Sequence, residues 1–242
     1  MNKAAWQDRG RSLLAPAVTL LERFGVTPVQ VTLFGLALHV SSAVIIGAGQ
    51  PRAGGLVLLL AAACDGLDGM LARRTGTATR FGAFLDSTVD RVDETLILAG
   101  VAAYFLVLGG TANLVWSVVV LVALGGSLIT SYTRARAEGL GLECRVGAFE
   151  RPERVIVTVL GLLLGRIALV LAVLILTGLA WYTVYQRVRH VERLVGGQPL
   201  HPTATAAAAE DVHVLRAEPP GEEPMVRGPD EPPLDTDPAG TS

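Results

Sequence analysis

The segment DGLDGMLARRTGTATRFGAFLDSTVD, residues 65–90, carries four aspartates in two pairs, Asp65 with Asp68 and Asp86 with Asp90. Members of a pair are three or four residues apart, the interval that places two side chains on one helix face. Apolar sequence flanks the segment on both sides: residues 53–71 lead into it, and a long run reaching residue 128 leads out. Carboxylates set in apolar spans are costly and mark function. One aspartate would explain a helix cap; four at these intervals define a site. Two pairs aimed at one point repel each other and so require a cation. An all-oxygen donor set suits Mg²⁺, Mn²⁺ or Ca²⁺ rather than zinc. One or two such ions at a membrane surface imply a substrate that carries phosphates.

The rest of the chain supports a membrane setting. Of 242 residues, 51% are hydrophobic and only 17% charged, and mean hydropathy is +0.48. Soluble domains carry about 25% charge, so an ordinary water-soluble enzyme is excluded. With two cysteines, Cys64 and Cys144, and no repeats, disulfide scaffolds, coiled coils and collagen fall as well. A crossing needs about 20 apolar residues. Residues 28–49 supply the first, with Thr27 as N-cap and Pro28 at the first helical position. Residues 53–71 supply the second. Gly109, Gly110 and Asn113 divide the run from 86 to 128 into two, and Gly165 with Arg166 divides residues 155–188 into two more. The expected fold is therefore all-α: a polytopic membrane protein with a six-helix transmembrane bundle over residues 27–195. Residues 1–26 mix Leu13, Leu14, Val18 and Leu21 with charges, as an N-terminal interfacial amphipathic helix does.

Charge sets the orientation. Sixteen Lys and Arg fall on one side of the six crossings, and only Arg52 and Arg166 on the other. By the positive-inside rule both termini are cytoplasmic, which makes this a multi-pass protein of the cytoplasmic (inner) membrane without a cleavable signal peptide. The two cysteines then lie on or near the reducing side, where no disulfide is expected. From Gly196 onward nine acids face Arg216 and Arg227, and nine of the 13 prolines are found there. Residues 196–242 read as a disordered acidic tail.

Residues 65–90 match the pattern D-x2-D-G-x2-A-R-x8-G-x3-D-x3-D at Asp65, Asp68, Gly69, Ala72, Arg73, Gly82, Asp86 and Asp90. This resembles the CDP-alcohol phosphotransferase family of membrane enzymes. The resemblance implies that Asp65, Asp68, Asp86 and Asp90 hold two divalent cations, Mg²⁺ or Mn²⁺, against the diphosphate of CDP-diacylglycerol or a related CDP-lipid. It implies that Asp90 is also the candidate base, and that Gly66, Gly69 and Arg73 lie against the CDP moiety. It further implies a homodimer. An acceptor hydroxyl would attack the lipid-attached phosphorus and CMP would leave, with metal charge and positioning supplying most of the acceleration. Asp93 and Glu94 extend the same face outside the pattern and read as supporting residues. Nothing points to a nucleic-acid partner.

The acceptor is addressed by a second stretch, SYTRARAEGLGLECRVGAFERPER, residues 131–154. Arg134 and Arg136 close the fourth apolar segment; Arg151 and Arg154, three apart, open the fifth. Positive-inside topology and snorkelling account for some of these, but such a cluster also suits a small phosphorylated alcohol. SYTRARAEGLG and VGAFERPERV resemble the branch that makes phosphatidylinositol phosphate or archaetidylinositol phosphate, which points to inositol phosphate. A phosphatidylglycerophosphate synthase using glycerol 3-phosphate is the alternative. Arg187, Arg189 and Arg193 read as lipid-headgroup anchors, His39 as a buried packing residue, and Gly35, Ala37, Gly161 and Gly165 as close-packing positions. A small ion-coupled transporter, the competing class, would place its acids at the midplane and show an inverted repeat.

Overall fold

The computed structural model describes residues 14–147 and 149–196. Residues 1–13 of the proposed N-terminal amphipathic helix and residues 197–242 of the proposed tail lie outside them. The described residues are all-helical, with no strand among them. A short helix, α1, covers residues 14–23. It is followed by α2 (Pro28–Gly47), α3 (Pro51–Arg74), α4 (Arg80–Leu108), α5 (Thr111–Glu138), α6 (Arg151–Leu164) and α7 (Arg166–Val195).

Local chemistry accounts for the breaks. At the start of α2, Thr27 Oγ1 accepts from the Gln30 amide at 3.3 Å while Gln30 Oε1 accepts from the Thr27 amide at 2.9 Å, a capping box followed by Pro28. Gly109 and Gly110 adopt φ of 66° and 81°, which only glycine adopts cheaply, and α4 stops there. Asn113 lies inside α5 and donates to Gly109 O at 2.6 Å, closing the corner instead of breaking the helix. Gly165, at φ 103°, separates α6 from α7.

Helices α2, α3, α5 and α7 are each long and apolar enough to cross a membrane. Helix α4 is 29 residues long but carries six charged groups in its first half, and α6 has only 14 residues. The outer faces of the bundle are apolar, with Leu60, Val107 and Ile167 between 62% and 80% exposed. Polar side chains turn inward: Ser42 donates to Gly54 O at 2.8 Å and Ser117 to Ala102 O at 3.0 Å. Such a surface is a membrane surface, and the protein is an integral membrane protein.

Helix α2 packs against α3 and α4, α5 against α7, and α6 against α7 and α3. Helix backbones come close at Gly100, where a Cβ would stand 2.6 Å from Ala43 O on α2. Gly100→Ala should therefore cost about 2 kcal/mol or more, as overpacking does, and lower the melting temperature in detergent by several degrees; an unchanged value would show that α2 and α4 separate freely. Of the expected close-packing positions, Gly35 and Gly161 do face neighbouring helices (Cys64 and Ala172), Ala37 is exposed, and Gly165 is a break.

Candidate active site

The two aspartate pairs come from α3 and α4, with α2 and α6 supplying their partners. Asp68, 5% exposed, accepts from Thr32 Oγ1 of α2 at 2.7 Å. With Asp86 it lines an open cavity of about 450 Å³, together with Gly69, Arg73, Thr79 and Gly82. A Cβ on Gly69 would meet the Arg73 guanidinium at 3.4 Å, so the small residue lets Arg73 lie back over the cavity wall. Gly66 is placed differently from Gly69. It does not line this cavity, and its nearest neighbour is Leu14 of α1, 3.0 Å from where a Cβ would sit. Helix α1 is tied down here by Arg74, which pairs with Glu22 at 3.0 Å and donates to Thr19 at 2.9 Å, while Val18 buries against Val31 and Leu71.

The other two aspartates meet through an arginine. Arg151, at the start of α6, sets Nη2 2.7 Å from Asp65 Oδ2 and Nη1 2.7 Å from Asp90 Oδ1. Its planar fork thus spans a carboxylate of α3 and one of α4. Below it lie His39, 2% exposed, with Nε2 3.9 Å from Asp65, and Asp93, 1% exposed. His39 is accordingly more than the packing residue its apolar surroundings suggest.

A second cavity, of about 220 Å³, begins at Asp90 and Arg151 and is walled by Arg134, Arg154, Arg187, Thr130 and Glu150. Arg154 is buried and forks onto Glu94, at 2.6 and 3.2 Å. Arg187 is buried as well; it donates to the main-chain oxygens of Val146, at 2.9 Å, and Thr130. These partners are neutral carbonyls, and the guanidinium they hold is part of the cavity wall. Arg134 pairs with Glu138 at 2.8 Å on the rim. Three of the four expected acceptor arginines, Arg134, Arg151 and Arg154, therefore share one cavity, whereas Arg136 is exposed and outside it. Arg187, read from the sequence as an anchor, belongs to the wall. A cation in the last turns of an apolar helix looks the same in either role, and the usable hint was Thr183 one turn before it. Thr32, a lone threonine 36 residues from Asp68, carried no signal.

Two cavities, one lined by Asp68 and Asp86 and the other by Asp90 and a set of arginines, in a bundle of apolar helices define a membrane enzyme for phosphate-group transfer. The chain belongs to the CDP-alcohol phosphatidyltransferase family, whose profile matches residues 25–186. It is 35% identical over 176 residues to archaetidylinositol phosphate synthase of Methanothermobacter thermautotrophicus, covering 71% of this chain and 86% of that one. It is 36% identical over 197 residues to phosphatidylinositol phosphate synthase of Mycobacteroides abscessus, covering 79% and 89%. Crystal structures of the Mycobacterium tuberculosis phosphatidylinositol phosphate synthase superpose on it with 32% identity. The form with CDP-DAG bound gives a TM-score of 0.67 over 73% of this chain and 92% of that one. The form in complex with manganese and citrate gives 0.66 over 72% and 86%. The protein is thus a divalent-metal-dependent CDP-alcohol phosphatidyltransferase of phospholipid synthesis.

Proposed function

We propose that the protein transfers a phosphatidyl, or related lipid-phosphate, group from a CDP-linked lipid to inositol phosphate, with release of CMP. The observation that carries the acceptor is the arginine-walled cavity opening at Asp90: Arg154 and Arg187 are buried cations there, and a neutral alcohol would not require them. The names of the relatives above favour the same acceptor. The CDP-lipid occupies the larger cavity, its cytidine diphosphate against Gly69 and Arg73.

Asp65, Asp68, Asp86 and Asp90 fit two divalent cations. Their donors are hard oxygens, and the charge they gather is high enough to hold a guanidinium between Asp65 and Asp90. Mg²⁺ or Mn²⁺ held there neutralises charge developing on the diphosphate. Thr32 fixes the rotamer of Asp68. Arg134, Arg154 and Arg187 hold the acceptor's phosphate so that its hydroxyl faces the lipid-side phosphorus. Asp90, in the lining of the arginine-walled cavity, takes the hydroxyl proton. A new phosphorus–oxygen bond forms to the acceptor as the bond to CMP breaks.

Six crossings with both termini cytoplasmic place the site at the inner face of the membrane. In this arrangement α4 crosses with its apolar second half, α6 is a short crossing joined to α7 at Gly165, and a homodimer is the assembly the family implies.

The deciding experiment is CMP release from CDP-diacylglycerol with Mg²⁺ by the purified full-length chain, offered inositol 1-phosphate, glycerol 3-phosphate, free inositol or serine one at a time. Turnover with inositol phosphate alone is expected. Preference for glycerol 3-phosphate would move the chain to the other branch, and use of free inositol or serine would show that the arginines serve topology.

A further inference from the structure

Beneath the aspartate motif lies a carboxylate without a hydrogen-bond partner. Asp93 is 1% exposed, and among the described residues neither of its oxygens accepts a hydrogen bond. Burying an unpaired charge is costly enough that a partner within reach is expected. Two groups are within reach. His39 presents Nδ1 at 3.4 Å, although Gly35 O lies closer to that nitrogen, at 3.0 Å. Arg151 presents Nη2 at 4.0 Å, its fork being drawn toward Asp65 and Asp90 instead. A small cavity of about 30 Å³, lined by His39, Asp93, Glu94, Arg151 and Arg154 among others, leaves free volume beside the pair. A shift of about 1 Å would bring Nη2 within charge-assisted hydrogen-bond range of Asp93.

We propose that Asp93 is a positioning residue, a second seat for the Arg151 guanidinium that takes the fork when Asp65 and Asp90 turn to divalent cations. The inference rests on the reading of those two aspartates as cation ligands. A cation and a guanidinium compete for the same carboxylates, and they repel each other. Of the three carboxylates that Arg151 reaches among the described residues, removing Asp93 would leave the two that the cations use. With it, Arg151 stays paired while Asp65 and Asp90 are released. The ligand atoms of His39, Asp65 and Asp93 lie within 4.8 Å of one another, but Arg151 already brings a positive charge to that point, which assigns the cluster to the arginine rather than to a further ion.

Mn²⁺ binding to the detergent-purified full chain, followed by the electron paramagnetic resonance signal of free Mn²⁺ without substrates, tests this. Asp93→Asn keeps the shape and removes the seat; binding should weaken about tenfold, as for other groups that orient metal ligands. Adding Arg151→Gln should restore it, because no guanidinium is left to compete. A merely structural Asp93 would instead leave the double variant at least as weak as Asp93→Asn. Wild-type affinity in Asp93→Asn, or no rescue in the double variant, would overturn the proposal. Should Asp93→Asn fail to fold, Asp93→Ser, smaller and likewise uncharged, takes its place in the single and the double variant, and the same two outcomes decide. Asp65→Asn and Asp90→Asn check the underlying reading separately, since normal Mn²⁺ binding in both would remove the ligand assignment itself.

Discussion

Asp90→Asn should reduce CMP release at least about a thousandfold, roughly 4 kcal/mol of transition-state stabilisation, while the folded protein survives in detergent. The residue lines the arginine-walled cavity, pairs with Arg151 at 2.7 Å, and lies near Arg91 at 3.6 Å. Asparagine keeps its size but holds a cation less well and cannot take the hydroxyl proton. Both losses act in the transition state, so kcat should fall with little change in KM for the CDP-lipid. The comparison that gives this weight is Arg136→Gln, which removes a charge at an exposed position outside both cavities and should leave turnover within about twofold. If Asp90→Asn retained a tenth of wild-type activity, neither its role as ligand nor its role as base would stand.

Arg187→Gln should raise KM for the phosphorylated acceptor about a hundredfold, with KM for the CDP-lipid unchanged. The guanidinium is 5% exposed and donates to the main-chain oxygens of Val146 and Thr130. Those contacts orient it from behind, and its charge has the cavity as its outlet. Losing a desolvated cation from an anion's site costs about 2–5 kcal/mol. A purely structural Arg187 would predict a different outcome, in which both KM values stay put and the melting temperature falls. Arg187→Lys separates the two readings, since it keeps the charge while losing the fork. It should recover most of the acceptor affinity even if the carbonyls of Val146 and Thr130 are served less well. Arg154 is a poorer probe of the same idea, because removing it strands Glu94 in the interior, and breaking a buried pair costs about 3–5 kcal/mol of stability.

Much of this protein is local, and local features can be read in order along the chain. The capping box at Thr27, the glycine corners at 109–110 and 165, and the three- and four-residue intervals within 65–90 all act between neighbours. Six helices and two helix-borne aspartate pairs followed from them. Helix ends were less legible. Helix α3 starts at Pro51 and runs to Arg74, beyond the apolar run of 53–71, because a helix continues while its backbone bonds are made, whatever the polarity of its last turn. Gly66 and Gly69 show the limit of a motif: three residues apart, they carry the same chemistry, yet one faces Leu14 of α1 and the other the larger cavity.

The sequence by itself determined the class of fold, the two helix-borne aspartate pairs and the family, because helix periodicity, turn residues and a fixed-spacing motif are properties of short stretches. Tertiary structure alone decided how the charges are divided. It brought Arg151 across 86 residues to Asp65, set His39 and Asp93 beneath them, turned Arg187 inward, and left Arg136 outside. A charged side chain has the same spacing and hydropathy whether it anchors a headgroup, walls a cavity or clamps a carboxylate. Which of these it does depends on the partner that a distant helix supplies in the low-dielectric interior, where each unpaired charge is costly.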